Sequence, residues 1–264
     1  MPHVSRAAHK SQCPLLITSR LRPGLHSLRH EREAECIRSA LAGANRKAAG
    51  AAAAAAPSQS ARFQVVHHSI QSNHLHLIVE AHDRATLTAG MRGLLVRIAR
   101  ALNRLWKRHG PVFVDRFHEH ELRTPREVRN ALVYVLQNLR KHRISLAGPD
   151  PYSSGPEFDG WARPEPGSGT GREGATSGPH RGPRLGQHRG QLESTVRSAA
   201  NRFGGDVGTQ VGSEGGSGGG LFGAPFLRAA RAECPRARTW LLNVGWQRHG
   251  LIDIREAPCP SRGS

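Results

Sequence analysis

Gln71-Ser72-Asn73-His74-Leu75-His76-Leu77-Ile78-Val79-Glu80 (71–80) alternates along its length in the manner of a β-strand. In a strand, successive side chains point to opposite faces, and positions i and i+2 stand about 6.6 Å apart on one face. Leu75, Leu77 and Val79 then point into a core, while His74 and His76 stand side by side on the other face. Two imidazoles so placed can share one divalent ion. Just upstream, RFQVVHHSI (62–70) is rich in β-formers, and Gln71-Ser72-Asn73 reads as the turn of a hairpin joining the two strands. His67 and His68 are adjacent, so they point to opposite faces and suit a shared ion less well. The pairing of His74 and His76 is weak evidence taken alone. The chain has 16 histidines and a second such triplet at His118-Glu119-His120; the first is the better placed, on a strand with a strict core face, and a solvated strand face is the plainer reading of His67 and His68.

Working outward, CPLLITSR (13–20) reads as a short strand. Residues 28–47 read as a helix, with Leu28, Ile37, Ala40, Leu41 and Ala44 at helical spacing. The Ala-rich run 48–56 either prolongs that helix or is a disordered insertion. Residues 85–109 give the clearest helix: Leu87, Met91, Leu94, Leu95, Ile98, Leu102 and Leu105 fall on one face, and Arg97, Arg100, Arg104, Lys107 and Arg108 form a basic stripe elsewhere on it. Residues 111–122 read as another strand or two. Thr124-Pro125-Arg126-Glu127 opens a further helix, with Thr124 and Glu127 as a capping box and Pro125 in the first turn. Its apolar face is Val128, Leu132, Val135 and Leu139. The order β, α, β, β, α, β, α predicts an α+β fold: a ferredoxin-like antiparallel sheet with helices on one face, plus one additional helix.

This domain is expected over residues 1–147. Residues 148–233 are rich in Gly, Pro, Ser and Arg, with runs such as GSEGGSGGG (212–220); they read as a disordered region unable to bury enough apolar surface to offset chain entropy. Residues 234–264 form a short C-terminal segment, in which 238–252 recover apolar character and could return to the core.

The net charge is +18, and residues 1–149 carry 24 Lys/Arg against 9 Asp/Glu. A basic globular half points to a polyanionic partner, first of all nucleic acid. Neither end offers an amphipathic basic helix with a Trp/Phe face or a long apolar run, so no membrane partner is expected. Four scattered cysteines, Cys13, Cys36, Cys234 and Cys259, form no Cys-x-x-Cys pair. The expected setting is cytoplasmic, with reduced thiols.

Of two tyrosines, Tyr134 and Tyr152, the first lies on the capped helix, at the edge of its apolar stripe. Asn138, four residues on, shares its face, and Gln137 offers an alternative amide oxygen. A boundary aromatic with a wet hydroxyl is the plainer reading of Tyr134; a nucleophile beside an oxygen ligand is the functional one.

The Asn-His-x-His-hydrophobic strand at 73–77 resembles that of single-tyrosine HUH transposases, the insertion-sequence transposases and their REP-associated tyrosine transposase relatives. Further similar stretches follow in order: GlyProValPheValAspArgPheHis (110–118), LeuArgThrProArgGluVal (122–128), AlaLeuValTyrValLeuGlnAsn (131–138) and ProTyrSerSer (151–154). The resemblance covers about residues 11–161; the Ala-rich run and the long tail lie outside the family core. It implies a DNA transposase that cuts and joins single-stranded DNA, flanked by a hairpin, through a 5′-phosphotyrosine. Tyr134 is then the nucleophile, and His74 and His76 are ligands of Mg²⁺ or Mn²⁺. Asn138 is the third ligand in the REP-associated pattern, with Gln137 the alternative of insertion-sequence members. It implies a monomer or a homodimer. Candidate DNA contacts are Arg97, Arg100, Arg104, Arg116, His118, Arg123 and Lys141, although a solvated face explains the helix stripe equally well. A non-catalytic DNA-binding descendant and a basic RNA-binding protein are the competing readings.

Because each neutralised phosphate releases counterions, binding to single-stranded DNA should weaken steeply with salt. A filter-binding titration from about 50 to 200 mM salt should show affinity falling by a factor of roughly 300 or more if six or more phosphates of a single strand are contacted. A flat response would contradict a phosphate-tracking surface.

Overall fold

Two alternating strands with a tight turn between them can pair only as a hairpin, and the sheet grows from that pair. The computed structural model describes residues 9–52, 62–114, 116–141, 147–163 and 234–258. Its elements are β1 (Leu15–Arg20), α1 (Glu31–Ala52), β2 (Phe63–Ile70), β3 (His74–Ala81), α2 (Arg84–Leu105), β4 (His118–Glu121), α3 (Pro125–Leu136), α4 (Asn138–Lys141) and α5 (Trp240–Asn243), with 3-10 turns at Gly155–Glu157 and Gly245–His249. The sheet order is β2-β3-β1-β4, and every neighbouring pair is antiparallel. This is the expected α+β ferredoxin-like arrangement.

The sheet separates two cores. On one face, Leu15, Ile17, Leu75, Leu77 and Val79 pack against Ile37 and Leu41 of α1 and against Leu87, Met91, Leu94, Ile98 and Leu102 of α2. On the other, Leu16, Val66 and Ile78 pack against Val128, Leu132 and Val135 of α3 and against Leu242, Trp246 and Ile252. A bulge between Val65 and His67 shifts the register of β2. Gly90 gives α2 its close approach to the sheet, since a Cβ there would fall 2.3 Å from the Phe63 ring.

Helix ends follow their local chemistry. Asp83 caps α2 by accepting from the Thr86 backbone N–H at 2.7 Å, and Thr124 and Glu127 complete the reciprocal box at the start of α3. The Ala-rich run prolongs α1 as far as Ala52; the remainder of that run, 53–56, lies outside the described residues. The region 111–122 yields only four residues of strand, preceded by an isolated Leu21–Phe113 bridge. Leu139, placed by periodicity on the apolar stripe of α3, lies beyond the end of that helix and is only half-buried, because the chain turns at Gln137.

Residues 147–163 depart from the expectation of disorder over 148–233. Arg29 holds the buried Asp150 carboxylate through two hydrogen bonds of 2.8 and 2.9 Å, and Phe158 packs edge-on against Trp161 and obliquely against Trp246. A specific ion pair and an aromatic cluster order a segment whose Gly and Pro content masks any periodicity. The rest of that expectation, 164–233, lies outside the described residues. The C-terminal segment docks through the buried Glu80 carboxylate, which accepts from the Arg238 and Thr239 backbone N–H groups and from the Thr239 hydroxyl at 2.7–2.8 Å. Farther along, Arg129 of α3 grips both oxygens of Glu256. Among the described residues, no helix is long and apolar enough to cross a membrane.

His67 and His68 point to opposite faces, as their adjacency requires. His67 lies beside Ser154 and the Phe158 ring, whereas His68 faces the α1 layer, within the field of Arg38. Burial lowers His67 to about 4, and burial, with Arg38 and His67 adding to it, lowers His68 to about 3. Both folded-state values lie below the unfolded value, so the unfolded chain binds more protons and stability is lost as pH falls from about 6.5 toward 4. Denaturant titrations should show a plateau above about pH 7 and a decline approaching about 1.4 kcal/mol per pH unit for each of the two histidines below it. Equal stability at pH 7 and pH 5 would rule this out.

Candidate active site

The even-numbered residues of β3 face α3, and that face carries the site. Its geometry starts with His74 and His76, whose rings lie nearly perpendicular at 4.6 Å between centroids, with the two Nε2 atoms 2.9 Å apart. Each ring is held from behind. His74 Nδ1 is 2.7 Å from Asn73 Oδ1, and His76 Nδ1 is 3.0 Å from Thr18 Oγ1. Thr18 reaches His76 because β1 and β3 pair in that register, and directly opposed residues share a face.

Tyr134 approaches from α3. Its hydroxyl is 3.2 Å from His76 Nε2, and its ring meets the imidazole edge-on at 4.8 Å. Burial raises the phenol above its ordinary value, while a hydrogen bond from the Asn138 side chain opposes that shift. The turn at Gln137 separates α3 from α4, and Asn138 nonetheless reaches the phenol from the first position of α4. An amide that gives its N–H to the phenol retains an oxygen able to coordinate a cation. Gln137 is turned elsewhere: its Nε2 donates to the carbonyls of Asp253 and Ile254 at 3.3 and 2.7 Å, and its Oε1 accepts from Arg140 at 2.9 Å. Of the two amides that sequence leaves open as a third ligand, Asn138 is the one that adjoins the site.

Two imidazole nitrogens and an amide oxygen make a mixed donor set of the kind that can hold a divalent ion. The Asn73 oxygen accepts, which places the His74 proton on Nδ1 and leaves its Nε2 lone pair directed at His76, an arrangement common to metal-binding histidines. Among the described residues no group of three or more His, Cys, Asp or Glu side chains gathers to hold a metal. An ion on His74 and His76 would therefore complete its shell with the Asn138 oxygen, water or phosphate, as Mg²⁺ and Mn²⁺ do.

The proposed DNA contacts are dispersed. His118 is paired with Thr18 across β1 and β4, which places it on the site face two strands from His76, roughly 10 Å away. Arg116 is exposed in the irregular stretch just before it. Lys141 ends α4, the short helix that begins at Asn138. Arg123 is exposed beside Glu121 at the start of α3, roughly 16 Å along the chain axis from Tyr134. Arg97, Arg100 and Arg104 belong to α2, in the helical layer behind the sheet. Arg97 donates to the Ala40 carbonyl of α1 at 3.3 Å, and Arg104 lies within electrostatic reach of Cys36. The stripe is thus separated from the site by the sheet, because helical periodicity defines a stripe without saying which layer it joins. Tyr152 packs against the core on that same side, beneath the Arg29 guanidinium at 4.3 Å.

Sequence reasoning missed Thr18 and Arg20 and took Asn73 only as a turn residue and a motif letter. Arg20 is paired with His74 and shares the site face. The signal was the alternation of β1 itself: Thr18 and Arg20 have the parity opposite to Leu15 and Ile17.

No family model matches the chain. No curated protein matches it either. Among solved structures it is similar to that of a REP-associated tyrosine transposase bound to a REP hairpin, at 19% identity over 54% of this chain and 74% of that one, with a TM-score of 0.39.

The two HxH triplets can be separated experimentally. His74→Ala and His76→Ala should each abolish Mn²⁺ binding by the isolated chain in calorimetry, whereas His118→Ala should bind close to wild type. Equal losses from His118→Ala would move the metal to the other strand.

Proposed function

We propose that the chain is a metal-dependent tyrosine endonuclease and strand transferase acting on single-stranded DNA, of the transposase type that its motifs resemble. One observation carries this reading: the Tyr134 hydroxyl lies 3.2 Å from His76 Nε2, which lies 2.9 Å from His74 Nε2. A nucleophile, a pair of nitrogen ligands and the Asn138 amide meet at one point of a basic protein.

In this reading the Tyr134 oxygen attacks a phosphodiester phosphorus, the bond to the 3′ oxygen breaks, and the DNA 5′ end becomes linked to the tyrosine while a 3′-OH departs. The phenol proton passes to solvent as the new O–P bond forms, and the departing 3′ oxygen takes one up from solvent. Attack by the freed 3′ hydroxyl of another strand reverses the step and regenerates the phenol. When bound, Mg²⁺ or Mn²⁺ supplies Lewis-acid stabilisation of the charge that develops on phosphate oxygens. Asn138 orients the phenol and stabilises its ionised form, against a burial that otherwise keeps it protonated. His118 and Arg116, at the β4 edge of the same face, are positioned to meet the strand on its way to the site. The favoured partner is a hairpin-flanked single strand bound by one copy or by a homodimer.

Labelled single-stranded hairpin DNA incubated with the protein and Mn²⁺ should yield an adduct that survives SDS, and mass spectrometry should place it on the peptide containing Tyr134. Tyr134→Phe removes one oxygen and preserves the ring, so metal and DNA binding should persist while cleavage falls by more than about 10³-fold. An adduct on Tyr152, or cleavage undiminished in the Phe variant, would overturn the assignment.

A further inference from the structure

The two histidines are backed by chemically different partners. An amide oxygen only accepts a hydrogen bond, so Asn73 Oδ1, 2.7 Å from His74 Nδ1, fixes the His74 proton there and leaves its Nε2 with a lone pair. A hydroxyl both donates and accepts, and it is a hydroxyl, Thr18 Oγ1, that lies 3.0 Å from His76 Nδ1. His76 Nε2 meets the His74 lone pair at 2.9 Å. Before an ion binds, that contact requires the His76 proton on Nε2, and Thr18 donates to the bare Nδ1. Once an ion is shared, both Nε2 atoms must be bare. The proton then resides on Nδ1, and Thr18 accepts it. The exchange moves one proton between the two ring nitrogens by way of solvent and leaves the net charge unchanged.

We infer that Thr18 is a positioning residue for the metal site, holding the His76 ring in one orientation while allowing the tautomer change that coordination demands. The inference rests on the metal-dependent reading above. Thr18 is suited to the role by place as well as chemistry. It lies directly opposite His76 in the β1–β3 register, on a strand whose neighbouring residues Ile17 and Ser19 are buried, and its β-branched side chain has few χ1 alternatives.

The test measures Mn²⁺ binding to the full chain by calorimetry, without DNA. Thr18→Val keeps the branched shape and removes the hydroxyl; it should weaken Mn²⁺ binding by about 10- to 100-fold. Thr18→Ser keeps the hydroxyl and should restore most of the affinity. Nitrogen-15 NMR of the wild-type imidazoles should report His76 protonated on Nε2 without metal and on Nδ1 once Mg²⁺, a diamagnetic ion, is bound. Wild-type Mn²⁺ affinity in Thr18→Val, or equal losses in the Val and Ser variants, would overturn the inference while leaving the nuclease reading intact. A Thr18→Val protein that loses its melting transition and its metal-free DNA binding together would make Thr18 a packing residue, which also overturns it. A wild-type chain that takes up no Mn²⁺ and forms no adduct would bring down the parent reading, and this inference with it.

Discussion

The alternation of side chains along β3 is the constraint on which the other elements depend. Leu75, Leu77 and Val79 commit one face of the strand to the α1 and α2 core, which forces His74, His76, Ile78 and Glu80 to the other. That second face must serve three purposes within four positions. Ile78 supplies the apolar footing for α3, and the histidines just before it receive the tyrosine that α3 carries. Glu80, at the far end, anchors the C-terminal segment. A shift of one residue in the β1–β3 register would exchange the faces of every one of these groups, so the site and both cores are fixed by the same pairing.

Burial has opposing effects at the site. It excludes competing water and strengthens the electrostatic interactions available to a phosphate, but it also raises the pKa of the phenol. The Asn138 hydrogen bond acts against that rise, and a cation on His74 and His76 would add to it. Placing Asn138 after the turn at Gln137, instead of within α3, frees Gln137 to tie the end of the helix to the carbonyls of Asp253 and Ile254. The break in the helix thus gives adjacent amides separate duties, one toward the phenol and one toward the scaffold.

Much of this is legible in the sequence wherever the chemistry is local. Period-2 alternation exposes the His74 and His76 pair, and the capping box at Thr124 sets the phase of α3, from which the placement of Tyr134 at the edge of its apolar face follows. Non-local pairing is what the sequence conceals. Nothing in CPLLITSR states which strand it will lie beside, so Thr18 and Arg20 pass for ordinary strand residues. The same limit applies to the α2 arginines, whose stripe is evident although its layer is not. The docking of residues 234–258 draws, besides the Arg129 and Gln137 contacts from α3 and its end, on one buried carboxylate, Glu80, and on an aromatic cluster shared with residues 158–161. Neither leaves a periodic trace.

The second core is built from parts far apart in the chain, and this has a consequence for the order of synthesis. β3 and α3 leave the ribosome before the 70 residues of 164–233, and Leu242, Trp246 and Ile252 follow only after them. At translation rates of about 5–20 residues per second, that interval is on the order of several seconds. During it the first core can already close around α1 and α2, whereas Val66, Ile78 and the outer side of α3 lack part of their cover and Glu80 lacks the backbone donors that later surround it. The half of the molecule that holds the candidate site is therefore the half that matures last, which makes it the natural point of entry for a chaperone or a protease acting on the nascent chain.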